Sequence, residues 1–264
     1  MNTIDLTELG KSFIERYDKP TPLYRDEDHA IYWLGVPEDT AFRCNCYLIV
    51  DGPEAILVDP GGCNAFSFVK KRVSQIIPPE SVQAMILCHQ DPDVAGSMVD
   101  WISLNPAIKV ITSLRTNVLI SHYGKAPYDF ININDEPVYQ FNSLRKLKFI
   151  ESPFMHFPGA FVTYDVTSRF LFSGDIWGAI DMDWHLVVED FHHHELNLNL
   201  FHLHYMSSNI AARGFLGRIR NLEIHAILPQ HGSVIPRALI PKAFSYLENL
   251  KCGLDLIYPG LKVK

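Results

Sequence analysis

The chain has 264 residues, of which 47% are hydrophobic and 20% are charged, a length and composition that fit one large globular domain with a substantial buried core. Its net charge of −7 argues against binding to nucleic acid, because a phosphate-neutralising surface needs clustered Lys and Arg. No apolar run reaches the ~18 residues that span a bilayer, and residues 1–16 lack the apolar segment of a secretory signal. We therefore expect a cytoplasmic protein with no nucleic-acid or membrane partner.

Short apolar runs predict nine β-strands along the chain. In chain order they are Ala30–Leu34, Tyr47–Val50, Ala55–Val58, Ala84–Cys88, Lys109–Ile111, Lys148–Ile150, Phe161–Tyr164, Phe170–Phe172 and Ala226–Leu228. Helical spacing of apolar residues predicts four helices, Asn64–Ile76, Ser113–Tyr123, Ser208–Leu222 and Arg237–Leu250. Pro20–Pro22 is predicted as a turn. Early hairpins followed by strand–helix alternation indicate a layered α/β architecture with the helices outside.

The cysteine pattern does not predict a disulfide framework or a zinc knuckle, because the number of cysteines is odd and no pair has Cys-x-x-Cys spacing. Cys44 and Cys46 share one face of a predicted strand, and we interpret them as reduced core thiols. Cys88 directly precedes His89 and could reach a metal there, although we interpret it as a core residue too.

Metal-ligand-type side chains occur in four segments, each directly after an apolar run. They are His89, Asp91, Asp93, His156, Asp175 and His231. Taken singly, each has a structural explanation; Asp91, for example, can cap a helix that opens at Pro92. Taken together they favour a polynuclear metal site, because imidazoles and carboxylates at several strand ends are a common way for a rigid sheet scaffold to hold one.

These motifs resemble the metallo-β-lactamase fold, and specifically its diiron branch, which flavodiiron proteins share with stand-alone oxygen-binding diiron proteins. The resemblance runs from about Tyr32 to Ile235 and includes an early Asp-x-Gly turn at Asp59-Pro60-Gly61-Gly62. It implies an αβ/βα four-layer sandwich, with residues 1–264 forming a single metallo-β-lactamase-like diiron domain and no flavodoxin domain. It also implies the ligand set: one metal is bound by His89, Asp91 and His156, the other by Asp93 and His231, and both by Asp175.

Two positions depart from the flavodiiron pattern His-x-Glu-x-Asp-His. Asp91 replaces the Glu and is one methylene shorter, and Val94 replaces the final His and cannot bind a metal. Carboxylates mixed with imidazoles suit non-haem iron or manganese, whereas zinc members of the fold usually carry a second His where Asp91 stands. We expect two iron ions, with zinc or manganese as alternatives, and no FMN bound by this chain.

The resemblance implies a non-haem diiron protein that binds dioxygen, either to sense oxygen or to reduce O₂ or NO with an external electron donor. Its expected partners are dioxygen or nitric oxide, a redox or chemotaxis-signalling protein, and a second copy of the chain, because flavodiiron relatives are commonly dimers. One alternative is a zinc hydrolase of the same fold, in which the metal turns bound water into a nucleophile. The other alternative is a degenerate fold of this family that is kept as an interaction module.

A dense histidine stretch follows the third ligand segment and comprises His185, His192, His193, His194, His202 and His204. An accessory metal site, or hydrogen-bond support for the ligand imidazoles, is one interpretation, and a solvated face is the one we favour for most of them. Trp177 and Tyr205 could line the metal pocket or pack in the core.

Overall fold

The computed structural model describes residues 4–12, 19–35, 41–182 and 185–260. Within them, the first sheet has seven strands in chain order, so that each strand pairs with the next. They are β1 (Thr21–Arg25), β2 (His29–Trp33), β3 (Tyr47–Asp51), β4 (Glu54–Val58), β5 (Ala84–Ile86), β6 (Lys109–Thr112) and β7 (Asp129–Asn132). Strands β1 to β4 are antiparallel, and β4 to β7 are parallel.

The second sheet has six strands in the order β13-β12-β11-β10-β9-β8. They are β8 (Val138–Gln140), β9 (Lys146–Glu151), β10 (Phe161–Asp165), β11 (Phe170–Gly174), β12 (Ala226–Pro229) and β13 (Ile235–Pro236). Only the β11–β12 pair is parallel. The carboxyl ends of these two central strands therefore lie at the same edge of the sheet.

Helices make the crossovers that parallel pairing requires. The first sheet uses α2 (Phe66–Val73), α3 (Pro92–Ala95), α4 (Met98–Leu104) and α5 (Leu114–Ile120). The second uses α6 (Phe191–Tyr205) and α7 (Asn209–Ile219) between β11 and β12. Outside these crossovers lie α1 (Leu6–Ser12), α8 (Ile240–Asn249) and α9 (Leu254–Ile257). Among the described residues, no helix combines the length and the apolarity needed to cross a bilayer.

Alternate residues of each central strand pack into different layers, as the two-residue period of a strand requires. On β3, Ile49 joins the core between the two sheets, whereas Leu48 joins the core under α2 and α4. On β10, Phe161 faces the core between the sheets and Val162 the core under α6 to α8. The three cores confirm the predicted αβ/βα four-layer sandwich.

All nine predicted strands and all four predicted helices are present, with shifted ends. The turn predicted at Pro20–Pro22 is wrong, because Thr21 and Pro22 belong to β1. Proline is tolerated there because β1 is an edge strand with an irregular register after Pro22. The short strands β7 and β8 were missed because they are largely exposed or half-buried and carry no apolar run.

A buried histidine connects the two sheets. His29 Nδ1 lies 2.9 Å from Asp51 Oδ1 on β3, and its Nε2 lies 3.1 Å from Asp165 Oδ2 on β10. Burial lowers the pKa of His29, but the hydrogen bonds and charges of Asp165 and Asp51 outweigh this effect and raise the pKa above its usual value of 6.5. The imidazolium and the two carboxylates thus form a charged cluster across the two sheets, in which Arg145 Nη1 also lies 3.1 Å from Asp51 Oδ1.

We expect His29→Gln to destabilise the metal-free protein by about 3 kcal/mol near pH 6, because it removes the positive charge between two buried carboxylates. Asp51 keeps its contact with Arg145, so the larger part of the cost falls on Asp165. Since folding raises the pKa of His29, its stabilising contribution is complete below about pH 6.5 and is lost as the pH rises through the folded-state pKa. Urea unfolding at pH 6 and pH 9 should show a difference between variant and wild type that shrinks at pH 9. His193→Gln, exposed on α6, is the control; an equal loss at both pH values would contradict the prediction.

Candidate metal centre

The six predicted ligand residues all follow strand ends at one side of the sandwich. His89, Asp91 and Asp93 lie after β5 and extend into α3, and His156 lies in the turn between β9 and β10. Asp175 directly follows β11, and His231 follows the neighbouring parallel strand β12. Because side chains from both sheets converge at this edge, residues far apart in the chain become neighbours. The structure brings all six together in two adjoining groups of donor atoms.

The first group contains two imidazoles and two carboxylates. His89 Nε2 lies 3.3 Å from Asp175 Oδ2 and 3.7 Å from Asp91 Oδ2. His156 Nε2 lies 2.6 Å from Asp175 Oδ2 and 3.5 Å from Asp91 Oδ2. All four donor atoms lie within 4.8 Å of one another, a spacing that could hold one metal ion.

The second group includes a residue that the sequence did not predict. His231 Nε2 lies 3.3 Å from Asp93 Oδ2, and Cys44 Sγ lies 3.4 Å from the same oxygen. These three donors also lie within 4.8 Å of one another. Asp175 Oδ1 lies 3.4 Å from His231 Nε2. Each oxygen of the Asp175 carboxylate therefore faces a different group.

Backbone and neighbouring groups orient the imidazoles. His231 Nδ1 lies 2.9 Å from the Arg43 carbonyl oxygen, to which it must donate because a carbonyl only accepts. This bond leaves His231 Nε2 free to bind a metal as the neutral tautomer. The Phe42 ring stacks on His231 with ring centroids 3.9 Å apart. On the other side, His89 Nδ1 contacts Cys88 Sγ at 3.0 Å, so Cys88 supports a ligand from the core.

The carboxylate and the imidazoles shift one another's pKa values in the direction that favours their charged forms. Burial lowers the pKa of His89, but the negative charge of Asp175 reverses this and raises the pKa well above its ordinary value. Burial likewise lowers the pKa of His231, and its ion-pair contacts with Asp175 and Asp93 raise it well above normal. Burial raises the pKa of Asp175, whereas the charge of His89 and the contacts with the three histidines bring it well below normal. Protons thus supply the positive charge that a metal ion would bring, and metal binding would displace them.

Two observations test whether this donor set fits a metal pair. Asp175 Oδ1 is buried and accepts no hydrogen bond, and such an atom is costly unless a cation or another partner satisfies it. Asp91 caps α3 through its backbone, and its side chain makes no cap hydrogen bond. The cap explanation therefore accounts for the backbone of Asp91 only, and its carboxylate is available to the first group. The residues fit two metals that share Asp175.

Val94 is fully buried in the core under the helices of the first sheet. It fills an apolar position, so none of its atoms contributes to either group.

The solvated face that we predicted for the histidine stretch is confirmed for His185, His192, His193 and His204, which are exposed. His194 and His202 are the exceptions, because both are buried on α6. His202 Nε2 accepts a hydrogen bond from the Trp177 backbone N–H at 2.9 Å. Burial lowers the pKa of His202 to about 4, so it stays neutral and holds the turn that follows Asp175.

The two aromatic residues that we considered for the pocket differ in role. Trp177 is buried, stacks on Phe244 and donates its indole N–H to the Ala243 carbonyl at 2.9 Å, so it belongs to the core. Tyr205 lies beside the first group, with its ring centroid 6.0 Å from that of His156 and 4.6 Å from that of Phe201. Phe201, Tyr205 and Phe42 form an aromatic wall next to the donor groups.

A family model described as "ODP family beta lactamase" matches residues 42–232. A solved structure of the peroxy diiron species of chemotaxis sensor ODP is 34% identical, with a TM-score of 0.79, and the match covers 91% of this chain and 100% of that chain. The apo state of chemotaxis sensor ODP from T. denticola is 33% identical, with a TM-score of 0.76, and the match covers 92% of this chain and 99% of that chain.

A curated relative, Diflavin flavoprotein A 1 from Synechocystis sp., is 25% identical over 153 residues, which are 58% of this chain and 26% of that protein. The chain spans between 26% and 55% of the length of the first curated relatives that it matches.

Proposed function

This chain belongs to the ODP family of β-lactamase-fold proteins, and from that membership we propose that it is a non-haem diiron protein that binds dioxygen. The observation that carries the proposal is the Asp175 carboxylate, whose two oxygens face two separate groups of imidazole and carboxylate donors. The peroxy diiron species reported for chemotaxis sensor ODP supports the same class of chemistry here.

We assign the ligands as the resemblance implied. His89, Asp91 and His156 hold the first metal, Asp93 and His231 hold the second, and Asp175 bridges them. The short distances between their donor atoms support this assignment, as does the buried Asp175 oxygen without a hydrogen bond. It stays a prediction that residues 1–264 form a single diiron domain with no flavodoxin domain.

Iron is the metal that the donor set favours. Three carboxylates facing two divalent ions, with only three imidazoles, form a hard, anionic set that suits non-haem iron better than the imidazole-rich pockets of zinc hydrolases. The zinc-hydrolase alternative has no observation of its own in its favour. When bound, a ferrous pair would supply the open coordination positions and the electrons for dioxygen chemistry.

The surrounding residues support binding of a small apolar gas. Phe42 covers one face of His231, and Phe201 lies between the two groups, 5.7 Å from His231 and 6.3 Å from His156 between ring centroids. Phenyl rings at these positions present apolar surface, and no proton donor, to the imidazoles. Nitric oxide is the second gas that this pocket would admit.

We propose oxygen sensing as the role, since the chain is similar to a chemotaxis sensor over nearly all of its described fold. A signalling partner would then read the occupied state, and a reductase role would need an external electron donor.

Absorption spectra of the iron-loaded protein test the proposal. We expect near-ultraviolet absorption that bleaches on anaerobic reduction and returns when dioxygen is admitted. The zinc-loaded protein is the matched control and should show no change. A native protein that contains zinc, and whose iron-loaded form does not respond to dioxygen, would overturn the proposed function.

A further inference from the structure

Cys44 is held beside the second group by its backbone. It is buried and forms an isolated antiparallel bridge with His231. The residues on either side tighten this contact, because the Asn45 N–H donates to the Gln230 carbonyl at 2.6 Å and the Arg43 carbonyl accepts from His231 Nδ1. The position of the sulfur is therefore fixed by the same segment that orients the imidazole.

The distances around Asp93 have the values expected between ligands of one metal. Donors bound at ~2.0–2.3 Å in a tetrahedral arrangement are separated by roughly 3.3–3.8 Å. Cys44 Sγ to Asp93 Oδ2 measures 3.4 Å, His231 Nε2 to Asp93 Oδ2 measures 3.3 Å, and His231 Nε2 to Asp175 Oδ1 measures 3.4 Å. The Asp175 oxygen, which accepts no hydrogen bond, faces the same position.

We propose that the Cys44 sulfur is the fourth protein ligand of the second metal, in place of the imidazole that the flavodiiron pattern has where Val94 stands. On coordination the S–H bond breaks, the sulfur–metal bond forms and the proton leaves to solvent. This inference rests on the proposed diiron function and deepens it.

Charge balance supports a thiolate at this position. Two divalent ions with three bridging or terminal carboxylates would leave one positive charge beside the buried Asp175 and His231, and an unbalanced buried charge is costly. One thiolate cancels it. The two metals would also differ, because the first has only nitrogen and oxygen donors, whereas the second has a soft sulfur donor that favours thiophilic metals.

Cobalt(II) is the probe that separates this inference from the function on which it rests. Titrated into the full-length metal-free protein, cobalt(II) should give visible d–d bands and, in addition, a near-ultraviolet sulfur-to-cobalt charge-transfer band. Cys44→Ser should abolish the charge-transfer band. It should also lower the affinity of the second site for cobalt at least about tenfold, while the first site keeps its metal. Cys252→Ser is the matched control, because Cys252 is also a buried free cysteine but packs in the core under α6 to α8.

A thiol that only donates a hydrogen bond to Asp93 would give a different result. Cobalt would then bind with no charge-transfer band, the Cys44→Ser spectrum would equal that of the wild type, and the inference would fail while the diiron site stands. Failure of cobalt to bind at all would overturn the metal centre itself. X-ray absorption of the iron-loaded protein, with a sulfur scatterer at about 2.3 Å that is missing in Cys44→Ser, gives an independent reading.

Discussion

Asp175→Asn is expected to release both metals. The amide keeps the volume of the carboxylate but removes the negative charge that faces both groups, at 2.6 Å from His156 Nε2 and 3.4 Å from His231 Nε2. Loss of a shared ligand should weaken metal binding at both sites at once. Mutation of residues outside the coordination shell already lowers metal affinity 10- to 100-fold, so we expect the affinity of each site to fall more than ~100-fold. Metal content per chain after dialysis, with circular dichroism to verify folding, is the measurement.

The control for this variant is Asp129→Asn, because Asp129 is exposed on β7 and far along the sheet from both groups. It should keep the metal content of the wild type. If Asp175→Asn also keeps one metal at wild-type occupancy, Asp175 does not bridge, and the two groups are independent sites.

His156→Ala and His231→Ala are expected to have complementary effects. His156 belongs only to the first group and His231 only to the second. Each variant should therefore lose mainly one metal and keep the other, and neither should recover its absorption when dioxygen is admitted after reduction. His204→Ala, exposed on α6, should behave like the wild type in both measurements.

The pair of variants tests the partition of ligands as well as their identity. Loss of both metals in His231→Ala would show that the sites fill only together. Full retention of both metals in His231→Ala would remove His231 from the ligand set.

The central strands could be predicted because both of their faces are buried. Strands β4, β10 and β11 are buried along their whole length, and such strands are recognisable as unbroken apolar runs. Polar edge strands such as β8 carry no such signal. Helix α6 was missed for a related reason: its buried face includes His194 and His202 beside Leu198 and Phe201, so its pattern resembles that of a polar segment.

The clustering of the six residues predicted as ligands could be expected from the sequence, because each is a metal-ligand-type residue in a segment that follows a strand. The proximity of Cys44 to this cluster could not, because it depends on a contact between distant segments: the neighbouring Arg43 accepts from His231, 188 positions along the chain. Within its own segment Cys44 lies two residues before Cys46 in an apolar, strand-like run. This is also the pattern of two ordinary core thiols on one face of a strand. Only the three-dimensional pairing of the two segments distinguishes them, since Cys46 packs under α2 with the first-sheet core.

The departures from the flavodiiron pattern have a physical account in the structure. Val94 packs in the apolar core beneath α2 and α4, so a histidine at this position would have to displace core packing to reach the metals. Asp91, although shorter than Glu, already lies within 3.7 Å of both His89 and His156. The Asp91 carboxylate thus lies beside both imidazoles without the extra methylene of a glutamate.

The most direct measurement is an anomalous difference map, collected at the iron absorption edge from crystals of the protein purified with its native metal. We predict two peaks on opposite sides of the Asp175 carboxylate, one beside His89 and His156 and the other beside His231. A single peak, or strong peaks that appear at the zinc edge and are absent at the iron edge, would contradict a diiron centre bridged by Asp175.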